Sequence, residues 1–306
     1  MTDVVISAQQ PDRSGHAHAG RKPRRMSADR AGVYAFLLIC TLFFLIPIYT
    51  MVSTSGKDMA DIRASNVLSP PQQVTLTAWD TAWNSACTGL DCSGVKVGFL
   101  NSVKIVVPVV LLSILLGAVN GYVLSFWQFR GANIVFTVLM IGAFIPLQVV
   151  LFPLVKMWAA LGIYGSLFGV IAVHVIFGLP VVTLMYRNFY ASLPIEIFKA
   201  ARVDGAGFWR IFWSVMLPMS APITIVVIIW QATGAWNDYI LGLTFGGREN
   251  APMTVQLNNI IGSQTGERQF NVEMAATLMT AAVPLLIYIV SGRWFVRGIA
   301  AGAVKG

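Results

Sequence analysis

The chain has 306 residues, of which 56% are hydrophobic and only 11% charged, whereas soluble domains carry about a quarter charged residues. That deficit, with a mean hydropathy of +0.70, excludes an ordinary soluble domain and indicates an integral membrane protein. The formal net charge of +8 therefore bears on orientation in a bilayer, and no nucleic-acid partner is expected from it.

Residues 1–30 mix Gly, His, Ser and Arg and read as a disordered cytoplasmic tail. Its basic run, RKPRR at 21–25, acts as a topology determinant and is compatible with contact to anionic lipid. The tail is not a cleavable leader, because the first apolar segment is of spanning length and no small-residue cleavage site follows it.

Residues 31–306 read as one transmembrane domain. Six apolar stretches are long enough to cross a bilayer, which takes roughly 20 helical residues. They lie at about 33–52, 99–126, 134–158, 167–190, 219–241 and 273–296. The expected fold class is an all-α membrane protein with six transmembrane helices. Of the 21 Lys and Arg, fourteen fall in the tail, the turn at Arg130, the region 187–210 and the C-terminal end. The remaining seven are spread over longer loops on the other side. The positive-inside rule then places both termini and the segment 191–218 in the cytoplasm, and the loop 53–98 outside.

Cys40 falls within the first span and reads as an inert thiol. Cys87 and Cys92 share the outer loop as C-x4-C. In an oxidising compartment they can close a small disulfide, and otherwise they remain two free thiols. No His or further Cys lies near enough to complete a metal site.

The segment 191–218, ASLPIEIFKAARVDGAGFWRIFWSVMLP, is a polar and aromatic interruption between spans four and five. Breaks at Pro194, Asp204-Gly205 and Pro218 predict two short helices joined by a tight turn outside the bilayer. Pro194 suits a first helical turn. Glu196 follows where the helix dipole favours a carboxylate. Ala200 and Ala201 let a helix sit deep in a groove. Asp204 is expected to cap the second helix, and Gly205 to supply a positive φ. Phe208 with Phe212, and Trp209 with Trp213, form adjacent lines of that helix. An amphipathic hairpin riding the headgroups explains the aromatics, but explains Ala-Ala followed by Asp-Gly less well.

Nucleotide-binding, zincin and serine-hydrolase motifs are absent, and no candidate catalytic residue emerges. His174 stands alone in span four, where an interhelical hydrogen bond is the expected role. Asp238 and Glu273 sit near outer ends of spans. An ion-coupled carrier usually needs a carboxylate near the midplane, so energy is expected to enter elsewhere.

The 191–218 segment resembles the EAA coupling loop of ABC importer permeases, whose pattern is close to P-x-E-l-x-E-A-A-x-x-D-G-A. Pro194, Glu196, Ala200, Ala201, Asp204, Gly205 and Ala206 match it. The wider chain, over about 30–306, is similar to carbohydrate-uptake permeases of the maltose-permease G-subunit type, through Asn101-Ser102, Trp236–Tyr239 and the terminal RWFVRGIAAGAVKG. The region around Cys87 and Cys92, ahead of VKVGFLNS, looks similar to glucose/mannose importer permeases. One departure stands out: the family's glutamate before Ala-Ala is Lys199 here, and that glutamate's pairing with the ATPase does not transfer to a lysine.

The resemblance implies a bacterial inner-membrane subunit with no cofactor of its own. It also implies a second permease chain, two ATPase subunits that use ATP and dock on the coupling loop, and a periplasmic sugar-binding protein. A sugar pathway is expected near Trp230, Gln231, Trp236, Asn237, Asp238 and Tyr239, although an interfacial aromatic belt explains Trp and Tyr there equally well. Gly117 and Gly121 form a small-x-x-x-small pair for close helix packing. An ion-coupled carrier working alone and a membrane scaffold are the competing readings.

Overall fold

The structure is a computed structural model that describes residues 28–88, 91–127, 129–262 and 268–303. Every regular element among them is helical. Helix α1 (Ala28–Ser55) is followed by the short α2 (Met59–Ala64) and α3 (Thr77–Asn84), then by α4 (Lys96–Phe126), α5 (Ala132–Phe144), α6 (Leu147–Ala160) and α7 (Leu167–Ala191). Next come α8 (Ile195–Val203), α9 (Phe208–Ile211), a π-helical turn (Phe212–Met216) and α10 (Leu217–Met219). The chain closes with α11 (Ala221–Asn237), α12 (Ile240–Phe245), α13 (Met253–Gly262) and α14 (Phe270–Ala303). The tail expected over 1–30 lies outside the described residues up to 27, and α1 begins at Ala28.

The chain divides into two compact units within α1. The first ends at Ile48, and its helical part exposes a continuous apolar surface that includes Phe36, Phe43 and Phe44. The second runs from Tyr49 onward and holds all the packing described below.

Among the described residues, four helices are long and apolar enough to cross a membrane: Arg30–Ser55, Lys96–Phe126, Leu167–Ala191 and Phe270–Gly292. Two bent pairs bring the number to six if each counts as one span. Ala132–Phe144 with Leu147–Ala160 bends by 103°, and Phe208–Met219 with Ala221–Asn237 by 76°. The third predicted stretch is therefore broken. Ile145 and Pro146 are both extended, at ψ 121° and 127°. Proline lacks the N–H that would continue the ladder and drives the residue before it out of the helical region. The fifth stretch begins after a second break at Ser220, whose hydroxyl donates to the Leu217 carbonyl at 2.7 Å. It ends at Asn237, short of the expected 241.

α4 is the central strut. Its 31 residues extend about 46 Å at roughly 1.5 Å each, and α7 packs along it more extensively than any other pair of helices. Glycine makes this approach possible. A Cβ on Gly117 would lie 2.4 Å from Val182 Cγ1, and one on Gly121 would lie 2.6 Å from Tyr186 Cβ and 2.8 Å from the Arg187 amide nitrogen.

The two ends of α4 carry different clusters. At the Lys96 end, Ala78 and Ala82 of α3 pack with Val95, Trp236, Met253, Ile260 and Ala275. At the Phe126 end, Tyr122 packs with Tyr190, Phe198, Ile211 and Phe212. The described residues of the predicted outer loop 53–98 thus include two helices, α2 and α3, the second packed into the cluster at the Lys96 end. Asn101 Nδ2 donates to the carbonyls of Glu249 (2.8 Å) and Ala251 (3.2 Å), and Ser102 Oγ accepts from the Met253 amide (2.9 Å). This Asn-Ser pair ties the start of α4 to the segment before α13.

Candidate functional site

The segment 191–218 forms a platform on the Phe126 end of α4. Pro194 is the N-cap of α8, and Glu196 lies exposed in its first turn. Phe198 turns inward and stacks on Phe126, with ring centroids 4.9 Å apart and an interplanar angle of 17°. The exposed side of α8 carries Glu196, Lys199, Ala200, Arg202 and Val203, while Ala201 is half-buried against the aromatic cluster.

α8 ends in a Schellman motif. The Ala206 amide donates to the Ala201 carbonyl at 3.0 Å, and the Gly205 amide to the Arg202 carbonyl at 3.1 Å. Gly205 takes φ +74° with no heavy atom within 4 Å of where a Cβ would stand. Backbone conformation, and not lack of space, calls for glycine here. Asp204 is the C-cap of α8, with φ −70° and ψ 7°. The expectation that it caps the second helix is corrected, since Gly207 is the N-cap of α9. The Schellman turn takes up Gly205 and Ala206, so the next helix starts after them.

The second half of the platform sorts its aromatics. Phe208 and Phe212 face inward and Phe212 is fully buried, while Trp209 and Trp213 stay more than half exposed. Tyr122 of α4 is the hub, with rings of Phe198, Phe208, Phe212 and Trp127 all within 6.3 Å. The Arg202 guanidinium lies 4.9 Å above the Trp127 ring, a cation–π contact from α8 to the end of α4. Tyr186 of α7 shares a 2.8 Å hydrogen bond with Thr224 of α11. The platform is thus keyed by aromatic packing into the ends of two long helices.

The six residues 230, 231 and 236–239 do not form one cluster. Trp230 and Asn237 are exposed and, with exposed Gly234 between them, line one face of α11. Gln231 is buried beside Gly178, and its Nε2 donates to the His174 carbonyl at 3.4 Å. Trp236 is 2% exposed and its indole donates to the Thr280 carbonyl at 3.0 Å. Asp238 accepts from the amides of Leu241 (3.3 Å) and Gly242 (2.8 Å), and its carbonyl accepts from Thr254 Oγ1 at 2.5 Å. Tyr239 is half-buried.

His174, which stands alone in its span in the sequence, meets a residue from outside α7. Its Nε2 lies 3.7 Å from Asp238 Oδ2. These residues are 64 positions apart, one within α7 and the other just past the end of α11, so no local spacing signals the pair. Glu273, 1% exposed, is paired with Arg268 at 2.6 and 2.9 Å. Cys87 and Cys92 are joined as a disulfide. Next to them, Asp91 pairs with Arg248 at 2.9 Å, linking the cysteine loop to the α12–α13 connection. Among the described residues, no group of three or more His, Cys, Asp or Glu is placed to hold a metal.

Residues 105–301 match the family described as binding-protein-dependent transport system inner membrane component. A probable ABC transporter permease of Pyrococcus horikoshii is 41% identical over 166 residues, which span 54% of this chain and 60% of that protein. The diacetylchitobiose uptake system permease of Streptomyces coelicolor is 29% identical over 283 residues, 91% of each chain. Among solved structures, a bacterial ABC transporter involved in import of the acidic polysaccharide alginate aligns with a TM-score of 0.75. That alignment has 21% identity and covers 90% of this chain and 100% of the other, which makes it a likeness of fold.

Proposed function

We propose, because this chain belongs to the family of inner membrane components of binding-protein-dependent transport systems, that it is one permease subunit of an ATP-driven carbohydrate importer. The carrying observation is the platform: an exposed α8 closed by a Schellman turn and packed through Tyr122, Phe126 and Phe198 onto α4. A force applied to α8 reaches the spans through packed rings, without a flexible linker between. The carbohydrate class is supported by the diacetylchitobiose permease, which aligns over nine-tenths of both chains.

In this reading Glu196, Ala200, Ala201, Asp204, Gly205 and Ala206 receive an ATPase subunit. ATP is bound and hydrolysed by two such subunits, and this chain holds no cofactor. Closure of the ATPase pair moves α8 as a lever and switches the permease pair between inward- and outward-facing states. A second permease chain completes the pathway, and a periplasmic sugar-binding protein delivers the substrate. The exposed line Trp230–Gly234–Asn237 suits a sugar, offering one aromatic face and one amide. Gln231, Trp236, Asp238 and Tyr239 hold that line in place.

The chain then lies in the bacterial inner membrane with both termini and the platform cytoplasmic. The Cys87–Cys92 bridge fits an oxidising periplasm on the opposite face. Uptake of labelled sugars tests the proposal in cells lacking the chain and in cells with it restored, using glucose, mannose, maltose, trehalose and sorbitol with and without an uncoupler. Restored uptake that resists the uncoupler and requires the ATPase is the expected result.

One observation favours the ion-coupled carrier, namely the His174–Asp238 pair at 3.7 Å. The carboxylate of Asp238 is already engaged by two backbone amides at the start of α12, a capping role that accounts for its position. Loss of uptake on adding the uncoupler would make that pair the residues to test.

A further inference from the structure

Lys57 lies between the end of α1 at Ser55 and the start of α2 at Met59, and only 2% of its surface is exposed. Its ammonium donates to two neutral oxygens, Ser65 Oγ at 3.1 Å and the Asn66 carbonyl at 3.4 Å. No ion pair to it occurs among the described residues. Asp61, the acid of α2, accepts from the Gln72 amide at its Oδ2 instead. An ammonium taken out of water without a counter-charge costs several kcal/mol, and one neutral hydroxyl and one long carbonyl contact do not offset that.

Lys57 also lines a cleft of about 380 Å³, within the range of small-molecule sites. One part of its wall is polar, with Thr54, Ser65 and Asn66, and the other is apolar, with Val67, Phe270 and Met274. The cleft lies where α1 ends and α14 begins. Two helices long and apolar enough to cross a membrane give way there to polar chain, as spans do where they reach a headgroup layer. Val67 and Leu68, beside it, are exposed apolar side chains.

We infer that this cleft binds one anionic phospholipid, with the lipid phosphate on Lys57 and the acyl region along Val67, Phe270 and Met274. The phosphate supplies the counter-charge the protein withholds, and charge-assisted bonds to phosphate are the stronger kind. A neutral sugar brings hydroxyls but leaves the ammonium uncompensated. A zwitterionic lipid brings its own cation to compete with Lys57.

The test is mass spectrometry of the intact full-length chain in a neutral detergent, titrated with phosphatidylglycerol, phosphatidylcholine or inorganic phosphate. The wild-type chain should take up one phosphatidylglycerol saturably and hold phosphatidylcholine about tenfold more weakly, and millimolar phosphate should not displace the lipid. Lys57→Gln should weaken phosphatidylglycerol about tenfold or more, while Lys57→Arg retains it. If Lys57→Gln fails to accumulate, Thr54→Trp fills the cleft without touching the bonds of Lys57 and should cause the same loss. Equal binding of the two lipids, unchanged binding in the variants, or displacement by inorganic phosphate would each overturn the assignment. In those cases Lys57 would serve only to staple the end of α2 or to hold a small anion.

Discussion

At the scale of single residues, the turn at 204–206 decides how the platform is built. Gly205 stands at φ +74° in open space, so a larger side chain is opposed by backbone strain alone, about 1–2 kcal/mol for an ordinary residue and more for a β-branched one. Gly205→Ala should therefore lower uptake moderately. Gly205→Val should abolish it while the chain still reaches the membrane, with the amount of inserted chain measured by immunoblot beside labelled-sugar uptake. Normal uptake by Gly205→Val would remove the turn from the coupling path. The positive φ was legible in the Asp-Gly pair. The role of Asp204 was not, because Asp is by preference an N-cap residue, and only the backbone bonds from Gly205 and Ala206 back to α8 show that it ends that helix. Lys199 is exposed on α8, so in the proposed reading it faces the ATPase with a positive charge. Lys199→Glu should reduce co-purification of the ATPase severalfold, whereas Lys199→Gln should reduce it less.

At the scale of elements, α4 and α7 are held together by contacts that tolerate no added volume. Gly121→Leu places atoms where Tyr186 Cβ and the Arg187 amide already stand. Overpacking of this kind costs about 1–3 kcal/mol, so the variant should unfold at a temperature several degrees lower in detergent, followed by size-exclusion chromatography after heating. Phe198→Ala removes the ring that stacks on Phe126 and should cost about 3–5 kcal/mol locally. It should weaken uptake more than it weakens thermal stability, since α8 loses its inner anchor while the spans keep theirs. The small-residue pair and the apolar stretches were readable from composition and spacing. The break at Ile145-Pro146 was not. Pro108, Pro153, Pro180 and Pro284 also fall in apolar stretches, yet they lie inside continuous helices. Proline permits a break, and the surrounding packing determines whether one forms. The packing of α3 was not legible for a related reason: Ala78 and Ala82 signal little by themselves, and become core only against Trp236 and Met253, from far along the chain.

At the scale of the whole molecule, the two ends of α4 carry the two halves of the proposed job. One end holds the platform, and the other holds the disulfide-bearing region with the segment 240–262. If the orientation proposed above holds, a cysteine introduced at Val203, 87% exposed on the platform, is modified by an impermeant maleimide only in inside-out vesicles. One introduced at Val74, exposed near α3, is modified in intact spheroplasts. Labelling of both from the same side would contradict a platform and a binding-protein face on opposite sides of the membrane. The proposed pathway residues were the least legible part. The stretch Trp236–Tyr239 reads as one cluster in sequence, but helical geometry sends Trp236 into the core and Asn237 outward, and the end of α11 turns Asp238 toward His174.

The central claim is that ATP hydrolysed elsewhere drives sugar through this chain by way of α8. Sugar uptake in cells whose only copy is wild type or Gly205→Val, with and without an uncoupler and with and without the ATPase, tests it most directly. The account predicts uptake that survives the uncoupler, vanishes without the ATPase and is lost in Gly205→Val. Uptake by the chain without the ATPase, abolished by the uncoupler and indifferent to Gly205→Val, would contradict it.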